Sequence, residues 1–225
     1  MKPFATVQDS LSMFAQDPLE YQPGETYLYS TFAYSTLARI VEAASGTDFL
    51  TAMEERVLKP LGMKNTCADQ WDKLILHRTR FYRRRNGTLE HAPEVDNSNK
   101  WAGGGFVSTA EDLVRFGNAI LHPTKNNVIQ QTKMARQLYT VQTLANGEPI
   151  DYGLGLELKV PKTVRKYNQK EPAKLTFGHS GGAVGASSYL LIVPQDDLVV
   201  SLLCNMEDTR LYDLAVQLAD YYKKE

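Results

Sequence analysis

Cysteine is scarce, long apolar runs are missing, and neither sign of charge prevails. The two cysteines, Cys67 and Cys204, lie far apart and outside any C-x-x-C pair. They supply neither a disulfide framework nor a zinc pattern. No apolar stretch approaches the length that crosses a bilayer, so no membrane span is expected. A formal net charge of −1 sets up no global field, which argues against nucleic acid or an acidic membrane surface as a partner. The first 25 residues contain acids and have no apolar h-region, unlike a signal or transit peptide. A cytoplasmic location, or an address segment upstream of Met1, is the expectation. Internal repeats and low-complexity tracts are absent as well.

What is present reads as helices followed by strands. Thr6 to Ala15 suits a short helix. "STFAYSTLARIVEAASG" places Leu37, Ile40, Val41 and Ala44 on one helical face, with Gly46 as the stop. "DFLTAMEERVLKPLGM" predicts a second helix ended by Pro60 and Gly62. Asn86-Gly87 between two extendable runs signals a hairpin. Ser108 to Glu111 fits a capping box opening a helix that carries Leu113, Phe116 and Ile120. Another helix is expected over Gln130 to Tyr139. "YGLGLELKV", "AKLTFGHSGG", "ASSYLLIVP" and "DLVVSLLCN" then read as four strands, antiparallel because their connections are short. Asp208 is expected to cap a final helix with Leu211, Leu214, Ala215, Leu218 and Tyr222 along its apolar stripe. The fold class is α+β: a mainly helical part with a small hairpin over about 1–145, then antiparallel strands and a covering C-terminal helix over about 150–225.

Gly178-His179-Ser180-Gly181-Gly182 fits G-x-S-x-G, the nucleophile elbow. The elbow needs a strand–turn–helix and partners in the order Ser, acid, His. Here a strand follows Ser180, and all four histidines precede it. Ser180 is therefore not expected to be an elbow nucleophile. The alternative is a glycine-rich strand end where another backbone or a ligand approaches closely.

A strand ending in a cationic or hydrogen-bonding residue, then Ser or Thr, then Gly, is the K/H-[TS]-G pattern. Tyr29-Ser30-Thr31, just before a helix, stands where Y-x-N would. "WAGGGFVSTAEDLVRFGNA" is similar to a G-G-x-x-S-T-x-x-D-L stretch, and "YGLG" and "VVSLLCN" flank the HSGG strand. On these motifs, from about Pro18 to Asn205, the chain resembles the class C β-lactamase-like family of serine hydrolases and peptidases, in particular its animal mitochondrial members. The resemblance implies a β-lactamase/transpeptidase-like fold, N-terminally incomplete, with a peptide or other acyl substrate, no metal and no cofactor. It implies catalytic roles for Tyr29, in the general-base network, for His179, and for the Gly182 N–H as an oxyanion donor. It implies substrate-binding roles for Ser30, Thr31, Ser180 and Gly181. A mitochondrial location is implied by the animal members.

Acyl-serine chemistry also needs a nucleophile, in this family the serine of S-x-x-K, with the lysine one helical turn away. No serine in the sequence starts an S-x-x-K. The expectation is a C-terminal part of such a hydrolase, inactive alone, with an exposed sheet edge and apolar face and hence self-association. The alternative is a non-catalytic interaction or filament-forming protein that keeps the fold. Read alone, "YLYSTFAY" is aromatic packing at a helix start. "HRTRFYRRR" reads as a solvated hairpin face rather than an RNA surface. His91, Glu94 and Asp96 lack the spacing of a metal site.

Overall fold

The computed structural model describes residues 3–126, 128–129, 132–159 and 175–222. The helices are α1 (Val7–Ser10), α2 (Thr31–Ser45), α3 (Phe49–Met53), α4 (Trp101–Gly104), α5 (Ala110–Leu121), α6 (Thr132–Leu138) and α7 (Tyr212–Tyr221). Three small two-stranded ladders interleave with them: β1 (Cys67–Ala68) with β4 (Phe106–Val107), β2 (Tyr82–Arg85) with β3 (Thr88–His91), and β5 (Gln142–Thr143) with β6 (Pro149–Ile150). The main sheet contains β7 (Glu157–Lys159), β8 (Thr176–Ala183), β9 (Ala186–Val193) and β10 (Leu198–Cys204), in the order β10-β9-β8-β7 and antiparallel throughout. The α+β layout expected from the sequence is the one observed.

Period-two alternation along β9 sandwiches this sheet between two helices. Leu190 and Ile192 join Leu158, Phe177 and Ile120 in a core on one face, with Leu113 and Phe116 of α5 packed against it. Tyr189, Leu191 and Val193 point to the other face, against Ala215 and Ala219 of α7. Burying a side chain such as Phe177 or Ile192 contributes about 1.5–3 kcal/mol. A third cluster, Val7, Ala38 and Phe49, holds α1, α2 and α3 together.

Local signals explain most element ends. The Asn86-Gly87 turn has both residues at positive φ, 50° and 81°, as a type I′ hairpin requires. Gly46 ends α2 in the left-handed conformation at φ 72°. The second expected helix continues past α3 as a π-turn over Glu54–Leu58. The expected start of α6 at Gln130 lies outside the described residues.

Three expectations are corrected. The cap of α5 is Thr109, not Ser108: Thr109 Oγ1 accepts from the Asp112 N–H at 3.3 Å, while Ser108 Oγ bonds Thr66 Oγ1 at 2.7 Å. The carboxylate of Asp112 is fully buried and accepts from the Asn65 N–H (2.8 Å), Thr66 Oγ1 (2.9 Å) and Arg115 Nη1 (3.0 Å), which fixes the register of the cap. Asp208 does not cap α7. It adopts φ 58° in the preceding turn, and the helix starts at Tyr212 without a side-chain cap. Its buried face is Ala215 and Ala219, flanked by Leu211, Tyr212 and Val216, while Leu214 and Tyr222 are exposed. The small alanines allow closer approach to the sheet than the leucine stripe would.

On α2 the buried positions are Ser35 and Ala38, whereas Leu37 (50 %), Ile40 (56 %) and Val41 (37 %) face outward. The apolar stripe read from the sequence is real, but it is an exposed surface among the described residues. Ser35 Oγ donates to the Asn99 carbonyl at 2.9 Å, so the polar side of the helix carries the packing onto the segment before α4.

Candidate active site

The candidate site is built on an open strand edge. Along β8, the register to β9 runs from Phe177 to Ala183, whereas β7 pairs only with Thr176, Phe177 and Gly178. Beyond Gly178 the outer edge of β8 is therefore unpaired among the described residues. The glycines of the HSGG stretch differ in kind. A Cβ on Gly178 would collide with the Leu190 carbonyl, and one on Gly181 with Ser188 Oγ. Gly182 has open space around it, so its glycine keeps the free edge clear.

His179 and Ser180 are neighbours on this strand and point to opposite faces of the sheet. His179 Nδ1 lies 2.6 Å from the Ser180 carbonyl oxygen. A carbonyl only accepts, so Nδ1 carries the proton. In the neutral ring Nε2 is then an acceptor, and the Tyr152 hydroxyl donates to it at 2.9 Å. The Tyr34 hydroxyl, 2.6 Å from that of Tyr152, donates in turn. A chain Tyr34→Tyr152→His179 thus fixes ring orientation and tautomer together. The phenol of Tyr152 is pushed far up, first by burial and then by the neighbouring phenols, so it remains a donor.

Tyr29 faces the same cluster, its ring 5.7 Å from that of His179, 6.1 Å from Tyr152 and 5.9 Å from Tyr34. General-base service requires a lowered phenol. In this environment the Tyr29 hydroxyl is raised instead, by burial and by the proximity of Tyr34 and Glu157. The described neighbours are aromatic and anionic, and none places a free ammonium beside the ring.

Ser30 is the N-cap of α2, its Oγ accepting from the Phe32 N–H at 3.2 Å. Thr31 begins the helix, and its methyl packs over Gly103, where an added Cβ would approach Thr31 Cγ2 to 2.6 Å. This contact accounts for Gly103 in "WAGGGF", where α4 presses against the start of α2, whereas a Cβ on Gly105 would meet Trp101 of α4 itself. On the other face of β8, Ser180 Oγ donates to Glu157 Oε1 at 3.1 Å, and Lys159 Nζ pairs with Glu157 Oε2 at 3.0 Å. Lys159 also stands over the Tyr212 ring at 5.7 Å.

The structure therefore brings Tyr29, His179, Ser180, Gly181 and Gly182 to one edge, with Ser30 and Thr31 serving the helix start beneath Tyr29. It adds Tyr34, Tyr152 and Glu157, which the sequence reading did not single out. Tyr34 and Tyr152 lie within the quoted motifs "YSTFAYSTLARIVE" and "YGLG", but only the fold shows that their hydroxyls meet.

An acceptor-holding histidine, a phenol cluster and a glycine-lined stretch stand together at the open edge of β8. The chain belongs to the beta-lactamase family, whose model matches residues 2–221. It is 33 % identical over 243 residues to the serine beta-lactamase-like protein LACTB, mitochondrial, of Bos taurus, covering 96 % of this chain and 44 % of that protein. It is 27 % identical over 227 residues to a penicillin-binding protein of Bacillus subtilis, covering 94 % of this chain and 47 % of the relative. The chain thus spans less than half the length of these relatives. Among solved structures, a penicillin binding protein from Bacillus halodurans superposes with a TM-score of 0.76 at 20 % identity, over 97 % of this chain and 64 % of that one. FmtA from Staphylococcus aureus gives 0.75 at 14 % identity, over 98 % and 57 %. Both likenesses support the β-lactamase/transpeptidase fold.

Proposed function

We propose that this chain is a partial β-lactamase-related domain carrying the tyrosine and His-Ser-Gly-Gly half of an acyl-serine hydrolase or peptidase site for peptide or other acyl substrates. The observation that carries this reading is the convergence of Tyr29, Tyr152 and His179 beside the open edge of β8. In the reaction a serine hydroxyl attacks the acyl carbonyl, its proton passing to a basic group, and the carbonyl oxygen becomes an oxyanion held by backbone donors. The Gly182 N–H is such a donor. His179 orients the site, and Ser180 with Gly181, Ser30 and Thr31 positions the substrate. Tyr29 joins the base network once a cation stands beside it, because an opposite charge reverses the upward shift that its present neighbours impose.

The sequence holds no S-x-x-K, so we take this chain alone to be inactive and the nucleophile to come from outside it. A fluorophosphonate serine probe tests this. The endogenous protein is expected to label on an S-x-x-K serine, while the chain alone stays unlabelled. Labelling of the chain alone above background contradicts the reading.

A second reading, a non-catalytic assembly protein, draws on the exposed Leu37, Ile40 and Val41 of α2. Under either reading this strip makes the chain self-associate through a second copy. Light scattering checks it: a sharp monomer at all concentrations contradicts it. Localisation follows the bovine relative, to mitochondria, and cell fractionation decides between that and the cytoplasm.

A further inference from the structure

The hydroxyl of Ser180 is already committed. Its proton goes to Glu157 Oε1 at 3.1 Å, since a carboxylate only accepts. What Ser180 offers an incoming group is therefore lone pairs, next to a carboxylate that has further lone pairs to share. A substrate carboxylate has no proton to give and meets two acceptors there. An ammonium group gives protons to both.

We propose that the subsite formed by Ser180 and Glu157 binds a substrate's ammonium group, and that Glu157 is the specificity-determining residue that turns carboxylate-bearing substrates away. The inference rests on the acyl-hydrolase reading for its substrate, but not for its geometry.

Three further observations support it. The nearby donors among the described residues are engaged: Lys159 pairs with the opposite oxygen, Glu157 Oε2, at 3.0 Å and leans over Tyr212, and His179 Nδ1 donates to the Ser180 carbonyl. Neither is left to receive a carboxylate. Around the strand edge, on the His179 face, Tyr27 and Tyr29 each lie against Tyr152, at 5.5 and 6.1 Å between ring centroids, a π surface of the kind that attracts cations and within the field of Glu157. Glu157 keeps its charge: burial pushes its carboxyl up, but Lys159 and the Ser180 hydroxyl together hold it below the usual range. Its field in turn reaches Tyr27 and Tyr29, both raised in part by it.

The test is an NMR titration of the full chain, read at the backbone amides of Ser180 to Gly182. Alaninamide carries an ammonium and no carboxylate; N-acetylalanine carries the reverse. Alaninamide is expected to shift these amides saturably and N-acetylalanine to leave them in place at the same concentration. Glu157→Gln keeps the shape, removes the charge, and should weaken alaninamide by at least about tenfold, the scale of a charge-assisted hydrogen bond. Lys159→Met removes the competing ammonium and should tighten it, which keeps the test open if Glu157→Gln fails to fold. Stronger shifts with N-acetylalanine, no response to alaninamide, or an unchanged preference in a folded Glu157→Gln overturns the proposal. The titration needs no nucleophile, so its failure leaves the acyl-serine reading standing, and failed labelling of the endogenous protein leaves this one standing.

Discussion

Tyr152 donates to His179. Its hydroxyl sits 2.9 Å from Nε2 while the opposite ring nitrogen is spent on the Ser180 carbonyl at 2.6 Å. Two hydrogen bonds of opposite sense leave the neutral imidazole one tautomer and one orientation. The histidine on β8 is thus a residue held in place from α2 through two phenols, rather than a free base.

This arrangement predicts a spectroscopic signature. Ring nitrogen NMR should show His179 protonated at Nδ1 and hydrogen-bonded at Nε2. In Tyr152→Phe, Nδ1 should stay protonated while the Nε2 resonance moves toward that of an unbonded imidazole nitrogen. The stability cost should be about 1 kcal/mol, the size of one net hydrogen bond. Protonation at Nε2 in the wild type would refute the chain of donors.

Glycine substitutions along β8 should separate structure from site. Gly178→Ala forces a Cβ against the Leu190 carbonyl, and backbone cannot yield as a side chain does. A loss of about 3 kcal/mol is expected, at the upper end of overpacking costs. Gly182→Ala meets open space and should unfold within about 0.5 kcal/mol of the wild type. Urea unfolding of the two variants checks the contrast; equal losses would mean that the β8–β9 register is different.

Stability should fall at alkaline pH for an identifiable reason. The phenols of Tyr29, Tyr152 and Tyr189 are all raised in the folded chain, first by burial. A raised group adds stability that is complete below its unfolded value, about 10 for tyrosine, and that disappears as the pH climbs through the folded value. Ultraviolet titration should show these tyrosinates forming late, together with loss of near-ultraviolet circular dichroism. On the acid side, the lowered Glu157 works the other way: its contribution is present above the unfolded value and is lost as the pH falls. Glu157→Gln should therefore flatten the acid limb and, because its charge also helps raise Tyr29 and Tyr189, shift the alkaline limb slightly to lower pH.

Much of this was legible in the sequence where a local rule coincides with a tertiary need. Asn86-Gly87 can only turn one way, and β8 to β10 alternate or run apolar because α5 and α7 cover both faces. The motif order singles out Tyr29, His179, Ser180, Gly181 and Gly182 as members of one site, and the fold brings the Tyr29 ring to 5.7 Å from that of His179. Periodicity failed where it reports amphipathicity but not which face is covered. The stripe of Leu37, Ile40 and Val41 was correct as a pattern and exposed in the fold, because Ala38 and Ser35 fit the close approach to α4. Tyr34 and Tyr152 were invisible as a pair for a related reason. They are 118 residues apart, and nothing local in either segment announces that two hydroxyls will meet at 2.6 Å.

The most direct test of the account is the site of serine labelling. The central claim is that Ser180 is a binding hydroxyl tied to Glu157 and that the nucleophile belongs to an S-x-x-K outside the 225 residues. The endogenous protein should be treated with a fluorophosphonate probe, weighed intact and peptide-mapped. The account predicts a product heavier than the 25.3 kDa of this chain, labelled on the serine of an S-x-x-K peptide, with Ser180 unmodified. Stoichiometric label on Ser180 would contradict it, and would make the strand hydroxyl itself the nucleophile.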